Sequence, residues 1–302
     1  MQYTYRLLPM EHGHRLMPLA AALVGVAVFS VMDALMKRAS ISVGVYNAIL
    51  FRSLIGAALM APLWRLGGGR WPGAANLRVH LLRSAVVAGM AVLFFWGLVR
   101  VPMAEGIALS FFAPLMAIYL ASVQLGERVQ PGAVLASLMG LGGVLVIGAG
   151  RLGQGTLDTE AARGMAAILG SAMLYAWNLV IQRQQAQLAS PREIALFQNL
   201  GVGGLLLLAA PWLATVPAAH NLADIAAAAV LAAAALMLLA WAYARAQAQA
   251  LVATEYTAFV WAALMGWLWF GEALTLPVVA GAMLIVAGCW IAARKPTEVT
   301  AL

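Results

Sequence analysis

Apolar blocks about as long as a bilayer is thick recur along the whole chain, separated by short polar breaks. A helix rising 1.5 Å per residue needs roughly 20 residues to cross the ~30 Å hydrocarbon layer. On that measure the first half holds five crossings: Leu16–Met36, Tyr46–Trp64, Val79–Val99, Met103–Gln124 and Pro131–Ala149. The second half holds five more, at Gly164–Ile181, Ile194–Leu213, Ile225–Ala244, Leu251–Phe270 and Leu276–Ala293. The pattern predicts an all-α, polytopic membrane protein with ten transmembrane helices. The first block is longer than a signal-peptide core and reads as a retained helix.

Composition agrees. Hydrophobic residues make up 64% of the chain and charged residues 10%, with a mean hydropathy of +0.90. Soluble domains are about 45–50% apolar and about 25% charged. The net charge of +7 gains meaning from where the cations fall. With the N-terminus inside, cytoplasmic ends and loops hold Arg6, Arg15, Arg65, Arg70, Arg78, Arg128, Arg183, Arg192, Arg245, Arg294 and Lys295. The opposite side holds only Lys37, Arg38, Arg100, Arg151 and Arg163. That bias predicts an inner-membrane protein with both termini cytoplasmic. No basic tract is interleaved with aromatics, so nucleic acid is not an expected partner.

The halves also align on each other. At an offset of 145, Gly126-Glu127 matches Gly271-Glu272, Trp96 matches Trp241, Arg100 matches Arg245, and Gly143 matches Gly288. At 146, Phe29 matches Tyr175, Lys37 matches Arg183, and Leu50-Phe51 match Leu196-Phe197. The chain therefore reads as two repeats, residues 1–150 and 151–302, forming one structural unit. Five crossings is an odd number, so the second copy enters the membrane inverted. Inverted repeats are a recurring construction of secondary transporters, with substrate bound near the midplane between them.

The segments Ala113-Pro114 to Leu125-Gly126-Glu127 and Glu255-Tyr256 to Phe270-Gly271-Glu272, each followed by a glycine-bearing helix, resemble the drug/metabolite transporter superfamily, EamA type. Within it the chain looks most like aromatic amino-acid exporters of the YddG type. Phe259 stands where the family often has a proline, opposite Pro114, which puts a symmetric kink in doubt. The resemblance implies a pathway lined by helices one, three, four, six, eight and nine. It also implies a small-molecule substrate exported by alternating access, aromatic or other hydrophobic amino acids being the expected class. A multidrug or nucleobase permease, a channel and a non-transporting scaffold are the rival readings.

Enzyme chemistry is not expected. The histidines His12, His14, His80 and His220 fall in loops or at helix ends by this reading. There is no His-Glu-x-x-His pair, no Gly-x-Ser-x-Gly turn and no phosphate-cradling Gly-x-x-x-x-Gly-Lys-Ser/Thr loop. Asp33, Asp158 and Asp224 are far apart in sequence. No metal or other cofactor is expected. The lone Cys289 excludes an internal disulfide.

Polar residues at membrane depth are the candidate site. Asp33 and Arg52 lie at similar distances from a turn near Ser42, so the hairpin predicts that they pair; proton coupling by Asp33 is the alternative. Lys37 and Arg38, at a helix end, are expected to snorkel. Glu105 and Glu255 sit one turn inside their helices, where capping and gating both fit. Glu127 and Glu272, at matched turns, read as structural locks. Arg83 reads as an anchor near the cytoplasmic mouth.

Tyr175, Asn178 and Gln182 share one helical face beside Trp177. A cavity wall and an interhelical hydrogen-bonding face are the two readings of it. Ser30 occupies the comparable place in helix one, and Ser110 and Phe111 stand in the middle of helix four. Trp96 and Trp241 fit an interfacial belt or a cavity rim equally. Gly140, Gly142, Gly143, Gly281 and Gly288 suit close packing of helices five and ten, against each other or a second subunit. The expected partners are thus a small-molecule substrate and lipid, in a monomer or homodimer.

Overall fold

A computed structural model of the chain describes residues 16–113, 115–116, 131–153, 158–245, 251 and 254–294. Pro114, Gly126, Glu127, His12 and His14 lie outside the described residues. Among those described, the chain is helical throughout, without strands.

The helices are α1 (Leu16–Val43), α2 (Val45–Leu66), α3 (Ala74–Leu98), α4 (Met103–Ser110), α5 (Pro131–Gly153), α6 (Thr159–Leu188), α7 (Pro191–Leu207), α8 (Ala219–Tyr243), α9 (Ala258–Phe270) and α10 (Leu276–Arg294). A single further turn, Ala210–Leu213, follows α7. Among the described residues, five helices are long and apolar enough to cross a membrane: α1, α2, α3, α6 and α8.

Local chemistry sets the breaks. Gly44, at φ +81°, divides α1 from α2, a conformation that costs other residues a steric penalty. Asp158 caps α6 by accepting from the Ala161 N–H at 2.7 Å, and Ser190 caps α7 ahead of Pro191. Gly271 ends α9 in the left-handed conformation, letting the Glu272 N–H reach the Gly266 carbonyl at 3.0 Å.

Several helices outrun their apolar blocks. α1 continues seven residues past Met36, and α6 runs seven past Ile181 through a Gln-rich segment. Those extensions carry Lys37, Arg38, Gln182 and Gln185, which bond to neighbouring helices, and hydropathy alone does not register this.

Contacts at one end of the bundle establish the inversion. The C-terminal part of α1 meets the segment that leads into α4 there, through Lys37 and the Val101 carbonyl at 2.9 Å. Arg100, beyond α3, binds Glu160 at the start of α6 at 2.8 Å. Gly150 of α5 lies against Pro277 of α10. So α1 finishes where α6 begins, and the repeats run in opposite directions.

The most extensive pairings, α1 with α8, α3 with α6, α5 with α10 and α2 with α7, all join one repeat to the other. Exchanging the repeats turns the first pair into the second and leaves the other two unchanged. The α5–α10 seam is a close one. A Cβ on Gly143 would come 2.5 Å from the Gly281 carbonyl, and one on Gly281 would come 2.6 Å from the Gly143 carbonyl. These two glycines pack α5 on α10 within one chain. Gly142 has nothing within 4 Å of an added Cβ and takes no part.

The candidate transport cavity

One end of the bundle is closed by buried charge. Lys37 is 3% exposed; its ammonium donates to the Val101 carbonyl and forms an ion pair with Glu272. The same Glu272 carboxylate accepts the Met103 N–H at 2.6 Å. Beside them Arg151 Nε donates to Glu105 at 2.8 Å, and Glu105 is buried. Lys37 therefore does not snorkel. α1 continues to Val43, so residue 37 stands within the bundle instead of at its rim. Arg38 is the exposed neighbour, bonded to Asp224 through Nε at 2.8 Å and lying over the Trp269 ring at 5.4 Å. The Glu272 carboxylate ties its turn to α1 and α4, and Glu105 is bonded to Arg151.

Deeper in the bundle stand Asp33 of α1 and Arg52 of α2, both part-buried. They lie in each other's electrostatic field, yet form no ion pair within 4 Å among the described residues. Arg52 Nε is buried without a hydrogen-bond partner. The direct pair expected from the hairpin is thus absent. The turn falls at Gly44, not Ser42, so Asp33 is eleven residues before it and Arg52 eight after.

Further along, the part-exposed Tyr175 lies in the field of both Arg83 and Glu255. Tyr243, at the end of α8, donates its hydroxyl to Glu255, just before α9. Phe111 meets Tyr256 edge-on, with ring centroids 5.4 Å apart. Apolar side chains fill the intervals: Phe94 and Phe111 border both large core clusters.

Asn178 faces α3. Its amide oxygen accepts from Arg83 Nε at 2.9 Å, and Gln185, one turn past Gln182, accepts from Nη1 at 2.6 Å. Gln182 completes the set at 3.4 Å. The Gln185 amide then donates to His80 Nδ1 at 2.6 Å, so Nε2–H is the end left to donate to Glu193, at 3.1 Å. Stacking on Phe197, centroids 4.9 Å apart, holds the ring. His80 is consequently not at a helix end. α3 starts at Ala74, which places His80 inside it at 2% exposure. The anchoring role expected of Arg83 is what this network provides.

Other candidates are placed differently. Ser30 is buried and bonds back to the Val26 carbonyl of its own helix at 3.2 Å. Ser110 does likewise, to the Ile107 carbonyl at 2.9 Å. Arg100 covers the Trp96 ring at 3.5 Å, and Arg245 covers the Trp241 ring at 4.4 Å, so the repeat mates form the same stack at their helix ends. Trp177 stands about 200° round α6 from Tyr175 and is 39% exposed. It is not on the Tyr175 face.

Sequence reasoning passed over Tyr243, Tyr256 and Gln185. Gln185 had a readable signal, seven residues from Asn178 on the face already identified. Tyr243 had none, because it joins the group through Glu255, which lies beyond the end of its own helix. No group of three or more potential metal ligands occurs among the described residues.

Known proteins match this architecture. The sequence pattern of the EamA-like transporter family matches twice, at residues 16–149 and 162–294. The Pseudopaline exporter CntI of two Pseudomonas aeruginosa strains, UCBPP-PA14 and PAO1, is 28% identical over 265 residues, covering 86% of this chain and 90% of the exporter. A solved crystal structure of a protein superposes with a TM-score of 0.61 at 21% identity, over 90% of this chain and 96% of that one. At that identity the likeness shows the fold alone.

Proposed function

The chain belongs to the EamA-like transporter family, and from that premise we propose that it exports small amphipathic metabolites, aromatic or other hydrophobic amino acids first among them. The observation that carries the proposal is a bundle largely apolar inside that holds two separate polar groups, Asp33 with Arg52 in the first repeat and Tyr175 with Tyr243 and Glu255 in the second, bordered by apolar and aromatic side chains. Such a cavity, mostly apolar with a few polar groups, suits a ligand with a hydrophobic body and a charged end. The pathway opens to the two sides in turn as the inverted repeats rearrange around it. The buried Lys37–Glu272 contact joins α1 to the end of α9, and so one repeat to the other. It is the closure that must part when that end opens. Both chain ends face the cytoplasm in this scheme, and the working unit is a monomer or homodimer in the inner membrane.

The likeness to Pseudopaline exporters supports a second reading, export of pseudopaline or a compound of its kind. Purified protein in liposomes loaded with unlabelled compound separates the two. Saturable counterflow of labelled phenylalanine, with pseudopaline failing to compete, is the expected result. Saturable counterflow of labelled pseudopaline, with no exchange of labelled phenylalanine, would replace the first reading with the second. Non-saturable flux would indicate a channel.

A further inference from the structure

An ionic pair held apart inside a bundle is unusual. Charges buried for stability alone close upon each other, because desolvation is recovered only through direct contact and hydrogen bonding. Lys37 with Glu272, and Glu105 with Arg151, behave in that way. Asp33 and Arg52 do not: each is part-buried, they stand beyond ion-pair reach, and Arg52 Nε bonds to nothing. They lie about 16 Å and about 12 Å along their helices from the break at Gly44, taking 1.5 Å per residue, so both are well inside the span.

The internal repeat supplies an independent observation. At the offset of 146, Asp33 corresponds to Leu179 and Arg52 to Gln198. Lys37 and Glu272 correspond to Arg183 and Glu127, which keep their charges. Charge present in both copies belongs to the shared scaffold. Glu105, Arg151 and Arg83 are also confined to one copy, but each is engaged in a direct contact, Glu105 with Arg151 and Arg83 with Asn178. Asp33 and Arg52 are confined to one copy and make no such contact, and Phe29, Phe51, Ile55 and Phe111 border the apolar cluster to which their helices contribute.

Resting on the transport reading above, we infer that Asp33 and Arg52 form a clamp for a zwitterion, Arg52 receiving the carboxylate and Asp33 the ammonium of one substrate molecule. A guanidinium presents paired donors that match a carboxylate, which a lysine does not. The substrate completes the broken pair and neutralises both charges, so the loaded site is electrically balanced while the repeats rearrange. The apolar neighbours receive the side chain of the substrate.

The test is counterflow of labelled L-phenylalanine in proteoliposomes, challenged by unlabelled phenylalanine, phenethylamine (no carboxylate) and hydrocinnamate (no ammonium). The wild type should prefer phenylalanine over both half-ligands. Arg52→Gln should lose about tenfold or more in apparent affinity for phenylalanine, the scale of a lost charged hydrogen bond, and cease to discriminate against phenethylamine. Asp33→Asn should do the same toward hydrocinnamate, and Arg52→Lys should fall between.

Because single variants strand a charge and can fail to fold, the double variant Asp33→Asn/Arg52→Gln is decisive. It should melt near the wild type and accept all three compounds alike. A double variant that exchanges phenylalanine with wild-type affinity and selectivity would make the pair structural and overturn the clamp alone. Absence of saturable phenylalanine exchange by folded wild type would overturn the amino-acid reading, and the clamp with it.

Discussion

Lys37 and Glu272, 235 residues apart in the chain, are ion-paired at the closed end of the bundle. The contact joins α1 of the first repeat to the turn after α9 of the second. Glu272 also holds the Met103 N–H, so one carboxylate ties together α1, the start of α4 and the end of α9.

Lys37→Met should therefore be costly, since it leaves a buried carboxylate without its cation. Removing one partner of a buried pair costs about 3–5 kcal/mol. The melting temperature of the detergent-solubilised protein should fall clearly, and the double variant Lys37→Met/Glu272→Gln should recover much of the loss. A double variant no more stable than the single would show that the two residues are not coupled.

The α5–α10 seam gives a contrast within one turn of helix. Gly143→Ala drives a methyl toward the Gly281 carbonyl, which is backbone and cannot swing aside. Overpacking of that kind costs about 1–3 kcal/mol. Gly142→Ala meets nothing within 4 Å and should be neutral or stabilising by up to about 1 kcal/mol through helix propensity. Thermal melting of the two variants side by side checks this, and equal melting would place the seam elsewhere.

Trp96 should prove a structural residue. Its ring is occupied by Arg100, as that of Trp241 is by Arg245. Trp96→Leu should cost about 0.5–1 kcal/mol, the worth of an exposed cation–π contact, and leave the apparent KM of exchange within about twofold of wild type. A larger rise in KM, at unchanged melting temperature, would return Trp96 to the cavity rim.

That pair also shows what the sequence made legible. The offset of 145 aligned Trp96 with Trp241 and Arg100 with Arg245, and in each pair the arginine stands four residues on, in the turn that ends the helix, so local geometry turned a sequence match into a repeated stack. The helical architecture, its inverted halves and the Gly143–Gly281 packing were readable for the same reason: they depend on periodicity and residue size. Lys37 was misplaced because its partner is distant in sequence and α1 continues through polar residues. His80 and Gln185 were hidden similarly, in helical stretches whose polarity resembles a loop. They are buried because they bond to each other, to Arg83 and to Glu193, and a one-dimensional pattern does not show that mutual satisfaction.

The sixth helix separates the cavity from its scaffold most sharply, because three neighbouring residues should respond in three ways. Asn178 is committed to Arg83, so Asn178→Leu leaves a buried guanidinium donor without its acceptor, at a cost of about 1–3 kcal/mol. Its melting temperature should fall, while exchange per folded molecule survives. Tyr175 is part-exposed and shares a field with Arg83 and Glu255. Tyr175→Ala should melt near the wild type and lose exchange, since it removes cavity wall instead of packing. Trp177 is equally exposed but on the far side of the helix, so Trp177→Ala should change neither stability nor flux appreciably. Paired measurement of counterflow and melting decides among them. Loss of flux in Trp177→Ala with normal flux in Tyr175→Ala would mean that the lining face of α6 is the opposite one. The Tyr175–Tyr243–Glu255 group would then no longer belong to the transport path.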